Sequence, residues 1–253
     1  MDLKKIKRIV LVGHDNEGSA HLLKMITDAY PETQFLLVIG QGLYYRKTYI
    51  GSIIKLLREA SFLFVLVRFI ELMRFKFFGE TMIAHARKKN ISIMHTSDIN
   101  SEESLKQIRD FRPELLISLF TMQIYKKPVL EIPTFGAITS HPSILPNYRG
   151  LEVFFWVLAN DEKETGVSVF FLSERIDAGA VIGQELIPIS QDMSVASLYR
   201  KITEIGGHLL VQAISQIDEG LTVTIPQVGK GSYYSMPDRE AVRRFQRLGR
   251  KFF

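Results

Sequence analysis

His141 and Asp177 are the two side chains whose types and placement first suggest chemistry. His141 stands in FGAITSHPSILPNYRG (135–150), a segment punctuated by two prolines and two glycines just after an apolar run. Asp177 follows 36 residues later in SERIDAGAVIGQ, on a loop between two predicted strands. A histidine at one strand end and an aspartate in a loop between strands can converge at one sheet edge. The carboxylate would then orient the imidazole and stabilise its protonated form, making a tuned general acid or base. A lone histidine in that position is otherwise a structural residue, and spacing alone leaves both readings open.

The elements that must position this pair are legible from periodicity. Ile9 to Val12, Phe35 to Ile39, Ile91 to Met94 and Leu115 to Leu119 are short apolar runs of the kind that form buried parallel strands. Helical patterns separate them at Ser19–Tyr30, Thr81–Lys89 and Glu102–Phe111. This β–α alternation predicts an α/β fold with a doubly wound sheet and a site at the carboxyl ends of its strands. Beyond residue 150, a helix over Leu151–Asn160 and strands at Val167–Leu172 and Val181–Ile189 are expected. A long helix, Val195 to Glu219, is expected to start at an Asp192 cap and stop at Gly220. A strand at Leu221–Ile225, a turn-rich GKGSYYSMP and a basic helix complete the reading.

The first βα turn, GHDNEGSAHLL, has two readings. Gly13, Gly18 and Ser19 ahead of a helix would suit a phosphate, but Asp15 and Glu17 would repel it, so an ordinary tight turn is the default. His14 and Asp15 are alternatively placed to contact a polar acceptor. The other histidines lack metal-ligand spacing, and no metal is expected.

The 253 residues contain no cysteine, which excludes disulfides, thiol catalysis and cysteine-held metals. Residues 1–12 read as a first buried strand rather than an export signal, so a cytoplasmic location is expected. The net charge of +5 is uneven: 41–78 carries seven Lys/Arg against Glu59 and Glu71, and 238–253 six against Asp238 and Glu240. All other residues sum to −4, so a uniformly basic nucleic-acid surface is not described, and no nucleic-acid partner is expected. Residues 49–78 are too interrupted by charge to span a bilayer, which takes about 20 apolar residues. They read as one or two amphipathic helices that cover the core or join two copies in a homodimer; the alternative is a peripheral membrane contact.

HPSILPNYRG, TGVSVFFL and RIDAGAVIGQ together resemble the signature blocks of the folate-dependent formyltransferases, the enzymes like glycinamide ribonucleotide, methionyl-tRNA and sugar N-formyltransferases. The resemblance runs over about 1–220 and is strongest over 113–190. It implies a Rossmann-like, mostly parallel sheet as a catalytic domain over 1–220, with an inserted helical segment near 41–78 and a short C-terminal extension, 221–253. It also implies a mechanism. An acceptor amine attacks the formyl group of N10-formyltetrahydrofolate, and the oxyanion of the tetrahedral intermediate is stabilised by an Asn and a His, with an Asp tuning the His. The His maps onto His141 and the Asp onto Asp177.

The family's N-x-H reads here as Thr139-Ser140-His141. Thr139 is then a shorter oxyanion donor, or a sign of a different acyl donor or acceptor geometry. It is otherwise the mark of a degenerate or altered member that binds folate or nucleotide without turnover. The resemblance further assigns the folate pocket to loops 120–125 and 173–176, hence to Phe120, Met122, Gln123, Ile124, Ser173 and Ile176. For Met122 and Ile124, core filling is the competing role. Asn147, Tyr148 and Arg149 are expected to face the acceptor with His14, with Arg149 alternatively a structural ion-pair partner. Gly231-Ser232-Tyr233-Tyr234 reads as a pocket wall or a packing hairpin. The resemblance implies a small-molecule amine acceptor, foremost an amino sugar linked to a nucleotide, because only 226–253 follow Ile225 where the tRNA enzymes carry a further barrel domain. A purine-pathway-like formyltransferase is the related alternative.

Overall fold

The computed structural model describes residues 6–40 and 62–253. In chain order these form β1 (Arg8–Gly13), α1 (Glu17–Ala29), β2 (Gln34–Gly40), α2 (Phe62–Phe78), α3 (Met82–Lys88), β3 (Ser92–Thr96) and α4 (Glu102–Phe111). Then come β4 (Leu115–Leu119), α5 (Lys127–Leu130), β5 (Ala137–His141), β6 (Arg149–Gly150), α6 (Val153–Ala159) and β7 (Glu164–Phe171). The rest are β8 (Val181–Pro188), α7 (Val195–Glu219), β9 (Tyr233–Tyr234) and α8 (Arg239–Arg247).

Among the described residues, seven strands form one sheet in the order β3-β2-β1-β4-β5-β7-β8. The first five are parallel, β7 adds antiparallel to β5, and β8 adds antiparallel to β7. The expected doubly wound, mostly parallel α/β sheet is the observed one. Side chains alternate across it, as the strand period requires. Ile9, Leu11, Leu37 and Ile117 pack with Leu22, Leu23 and Ile26 of α1 and Leu210 and Ile214 of α7. Val10, Val12, Val38 and Leu116 pack on the other side with Leu105 and Ile108 of α4. A third cluster joins α6, α7 and α8 around Phe155, whose ring stacks on Phe245 at 5.0 Å.

Several details depart from the sequence expectation. The long helix α7 is capped by Ser194, not Asp192: the Ser194 side chain accepts from Ser197 N and Ser197 returns a bond to the Ser194 backbone, a capping box. Gly220 ends that helix in the left-handed conformation, as expected. Leu221–Ile225 is not a strand. Only Ile225 pairs, through reciprocal 2.8 Å bonds with Val181 at the start of β8, so the segment meets the sheet at one bridge. The residues after Gly220 are tied back into the body: Lys251 and Phe252 carbonyls accept from Val195 and Ala196, and β9 pairs with β6. Of the amphipathic segment 49–78, the part before residue 62 lies outside the described residues. The remainder is α2, which buries Phe64 and Val67. None of the described helices is long and apolar enough to cross a membrane.

Candidate active site

Strands β1 and β4 are adjacent, and the chain winds outward from them in opposite directions. That places the crevice outside their carboxyl ends, where open α/β sheets bind ligands. A cleft of about 1310 Å³ opens there. Its wall includes Phe120, Met122, Gln123 and Ile124 after β4, Thr139 and His141 on β5, and Ser173, Ile176 and Asp177 after β7. The structure therefore brings together nine of the residues singled out from the sequence. Ile124 and Ile176 remain 43% and 52% exposed, so the core-filling role does not hold for Ile124.

His141 is buried, with its ring defined by two neighbours. Nε2 lies 2.7 Å from the Tyr148 carbonyl, and Nδ1 lies 3.7 Å from Oδ2 of Asp177. A carbonyl only accepts, so Nε2 carries the proton and Nδ1 of the neutral ring keeps its lone pair. Asp177 is held in turn: its Oδ2 accepts from Gly150 N at 2.9 Å. Its backbone is left-handed, φ +48°, an uncommon state for a residue with a side chain. Arg149 Nε and Gln227 Nε2 both donate to its carbonyl at 3.0 Å and hold that conformation. Phe120 and Glu152, both on the cleft wall, are also left-handed, as is Tyr148.

Thr139 donates its hydroxyl proton to the Ser118 carbonyl at 2.9 Å. The expectation of an oxyanion donor at this position meets a hydroxyl already committed to the neighbouring strand. The reason is register: Thr139 sits opposite Ser118 in the β4–β5 pair, where a short side chain reaches the adjacent backbone.

The expected acceptor-facing residues are placed differently. His14 is spent on structure, with Nδ1 donating to Gly40 O and Nε2 accepting from Met122 N, both at 2.8 Å. Burial lowers its pKa, outweighing the Gly40 bond. It is a strut between β2 and the loop after β4. Asn147 is exposed and outside the cleft wall. Tyr148 is stacked on Tyr234 at 4.8 Å, with its hydroxyl on Glu162 and Asn160, and burial pushes that hydroxyl well above the ordinary phenol range. Arg149 donates to neutral groups, adding a 2.6 Å bond to Gln227 Oε1, and among the described residues it forms no ion pair. In GSYY, Tyr233 lines the cleft while Tyr234 packs.

The phosphate reading of the first turn fails on its donors. Gly18 N donates to the Tyr199 hydroxyl, Ser19 N to Asn16 Oδ1 and Ala20 N to the Asn16 carbonyl. Among the described residues no group of His, Asp and Glu is arranged to hold a metal.

Two glycines make these contacts sterically feasible. A Cβ on Gly150, at φ +100°, would sit 2.2 Å from the Tyr234 carbonyl, and one on Gly179 would sit 1.6 Å from the Phe171 carbonyl. They are the glycines of YRG and D-x-G. Sequence reasoning missed Gln227, Tyr199, and the Arg68–Glu71–Glu152 cluster on the far wall, where Arg68 pairs with both carboxylates. Gln227 lies in TIPQVGKG, which carries no motif, and only its three-dimensional neighbours disclose it.

The family model described as formyl transferase matches residues 71–214, a stretch that contains His141, Asp177 and both cleft loops. The chain belongs to the formyl transferase family. A methionyl-tRNA formyltransferase of Halalkalibacterium halodurans is 34% identical to this formyl transferase family member over 142 residues, 56% of this chain and 45% of that protein. The chain thus spans about half the length of the curated relatives it matches. Two solved structures share the fold. An N-formyltransferase from Helicobacter canadensis, in complex with folinic acid and dTDP-3-aminofucose, is 18% identical, with a TM-score of 0.63 over 93% of this chain and 72% of that one. A glycinamide ribonucleotide transformylase from Symbiobacterium toebii is 16% identical, with a TM-score of 0.60 over 88% and 95%.

Proposed function

We propose that this formyl transferase family member moves the formyl group of N10-formyltetrahydrofolate to the amine of a small acceptor, foremost a nucleotide-linked amino sugar. The observation that carries the reading is the meeting of His141, Asp177 and the two ligand loops in one cleft at the sheet switch point. The Helicobacter neighbour, crystallised with folinic acid and an amino-sugar nucleotide, supports the choice of donor and acceptor.

The residues present fit a folate. Phe120, Met122, Ile124 and Ile176 offer apolar surface, and Gln123 and Ser173 stand beside them with polar groups. These six would hold it, and when bound it supplies the formyl carbon. The chain's own part is proton handling. His141 Nδ1 takes the proton that the acceptor nitrogen sheds, because Nε2 is already protonated and tied to Tyr148, and would return it to the departing N10 as the formyl–N10 bond breaks. The imidazolium then faces Asp177 at 3.7 Å. Two opposite charges that close attract by about 4 kcal/mol at an effective dielectric of 20, before desolvation is counted. Protonated Nδ1 is also a donor for developing negative charge, a role Thr139 does not share while its proton is on Ser118.

The test is purified protein, N10-formyltetrahydrofolate and a panel of amino-sugar nucleotides and small amines. Formylation of at least one acceptor is the expected result, and none across the panel defeats the proposal. The second reading, a family member that binds folate or nucleotide without turnover, is favoured by the committed Thr139 hydroxyl. It expects folate-analogue binding with no formyl transfer.

A further inference from the structure

Helix α2 has two unlike faces. Inward, Phe64 meets Phe155 and Phe252 edge-on at 5.7 and 6.4 Å, and Arg68 pairs with Glu71 and Glu152. Outward, Phe62, Leu66, Phe69, Ile70 and Phe77 recur at the spacing of one helical stripe, and all are exposed; Phe69 is 57% and Phe77 73% accessible. Among the described residues nothing packs on that stripe. The helix's one acid, Glu71, is turned inward, while Arg74 and Lys76 are exposed.

We infer that the outer face of α2 is a docking surface for an anionic lipid bilayer. A basic-flanked helix with a Phe-rich face lies in the headgroup plane and buries its apolar stripe, whereas a spanning helix must be longer and uncharged. Charge decides between a bilayer and a second copy of the chain. The exposed charges of α2, Arg74 and Lys76, are both basic, and Arg68 is paired with Glu71 and Glu152. Two copies meeting through this face would set like charge against like, but acidic headgroups complement it. The same helix lines the cleft through Leu72, Phe75 and Phe78, so a docked bilayer lies beside the cleft mouth. This inference stands apart from formyl transfer, since the apolar stripe and Lys76 lie outside the cleft wall.

The experiment is flotation of the full chain with vesicles of phosphatidylcholine alone and with about one-quarter phosphatidylglycerol. Binding is expected only with the acidic lipid, weakening as salt rises. Phe69→Glu/Phe77→Glu should lower bound protein by about tenfold, and Lys76→Glu should reduce it while leaving the melting temperature unchanged. Circular dichroism of each variant separates lost binding from lost folding. Absence of flotation, or equal binding to neutral vesicles, overturns the inference. So does a two-copy particle in light scattering that the Phe69→Glu/Phe77→Glu variant splits. Formylation of a soluble acceptor, assayed without vesicles, reports on the transfer reading independently.

Discussion

The backbone carbonyl of Tyr148 accepts a 2.7 Å hydrogen bond from Nε2 of His141, seven residues earlier at the end of β5. That contact sets the tautomer and turns Nδ1 toward Asp177. A residue expected to meet the acceptor with its side chain thus acts on the imidazole through its main chain. The side chain secures the loop instead, stacked on Tyr234 and bonded to Asn160 at 3.0 Å.

If His141 and Asp177 handle protons as proposed, removing either should abolish most turnover without unfolding the chain. We expect His141→Ala and Asp177→Asn to lower kcat by about 100- to 10,000-fold, the usual range for a general acid–base group. Thermal melts should move little by comparison. Activity within a few fold of the parent protein would remove the pair from the mechanism.

Gln227 should behave as a positioning residue. Its amide donates to the carbonyls of Asp177 and Gly179 at 3.0 and 2.8 Å while its oxygen accepts from Arg149. Gln227→Glu keeps the Arg149 partner and loses both donors. A fall in kcat of about 10- to 100-fold, with KM for the acceptor retained, is expected from displacement of Asp177. If Gln227→Glu is fully active, the two donor bonds are irrelevant to the site.

Thr139→Val tests whether the hydroxyl takes part in chemistry. With its proton on Ser118 O, the expected change in kcat is within about threefold, against roughly 100- to 1,000-fold when a true oxyanion donor is removed. Loss of the hydrogen bond should cost about 1 kcal/mol of stability. Thr139→Asn separates the two functional readings: activity that appears from none supports a member that binds without turnover, and unchanged or lower activity places Thr139 in a working site.

Stability should fall in mild acid because His14 is buried in its neutral form. Its folded pKa is below the ordinary value of 6.5, chiefly through desolvation, and His85 is lowered for the same reason. The unfolded chain therefore binds more protons. The stabilisation is fully present above pH 6.5 and is lost as pH falls through and below it. A melting-temperature series from pH 8 to 5 should show that decline, and His14→Gln should flatten it. A melting temperature that rises on acidification would contradict the sign.

Most of the sheet was legible in the sequence because each parallel strand is a local apolar run between turn residues, and α4 was expected at the same bounds it occupies. His141 and Asp177 were legible as chemistry, and the resemblance strengthened them, since His141 sits in a Pro/Gly-rich motif and Asp177 in a glycine-containing one where chain geometry is constrained. What lay beyond reading was the direction in which neighbours point. Asn147, Tyr148 and Arg149 look like one polar run, yet their side chains go to solvent, to Tyr234 and to Gln227.

The sequence by itself determined the α/β alternation, the family resemblance and the identity of the candidate catalytic pair. It could do so because strand periodicity, glycine demands and motif spacing are local properties of the chain. Only the tertiary structure decided that Thr139 donates to Ser118, that His14 braces the loop after β4, and that Gln227 reaches Asp177 from 50 residues away. Those outcomes depend on strand register and on which carbonyls lie within about 3 Å of a donor, distances that exist only after the sheet has formed.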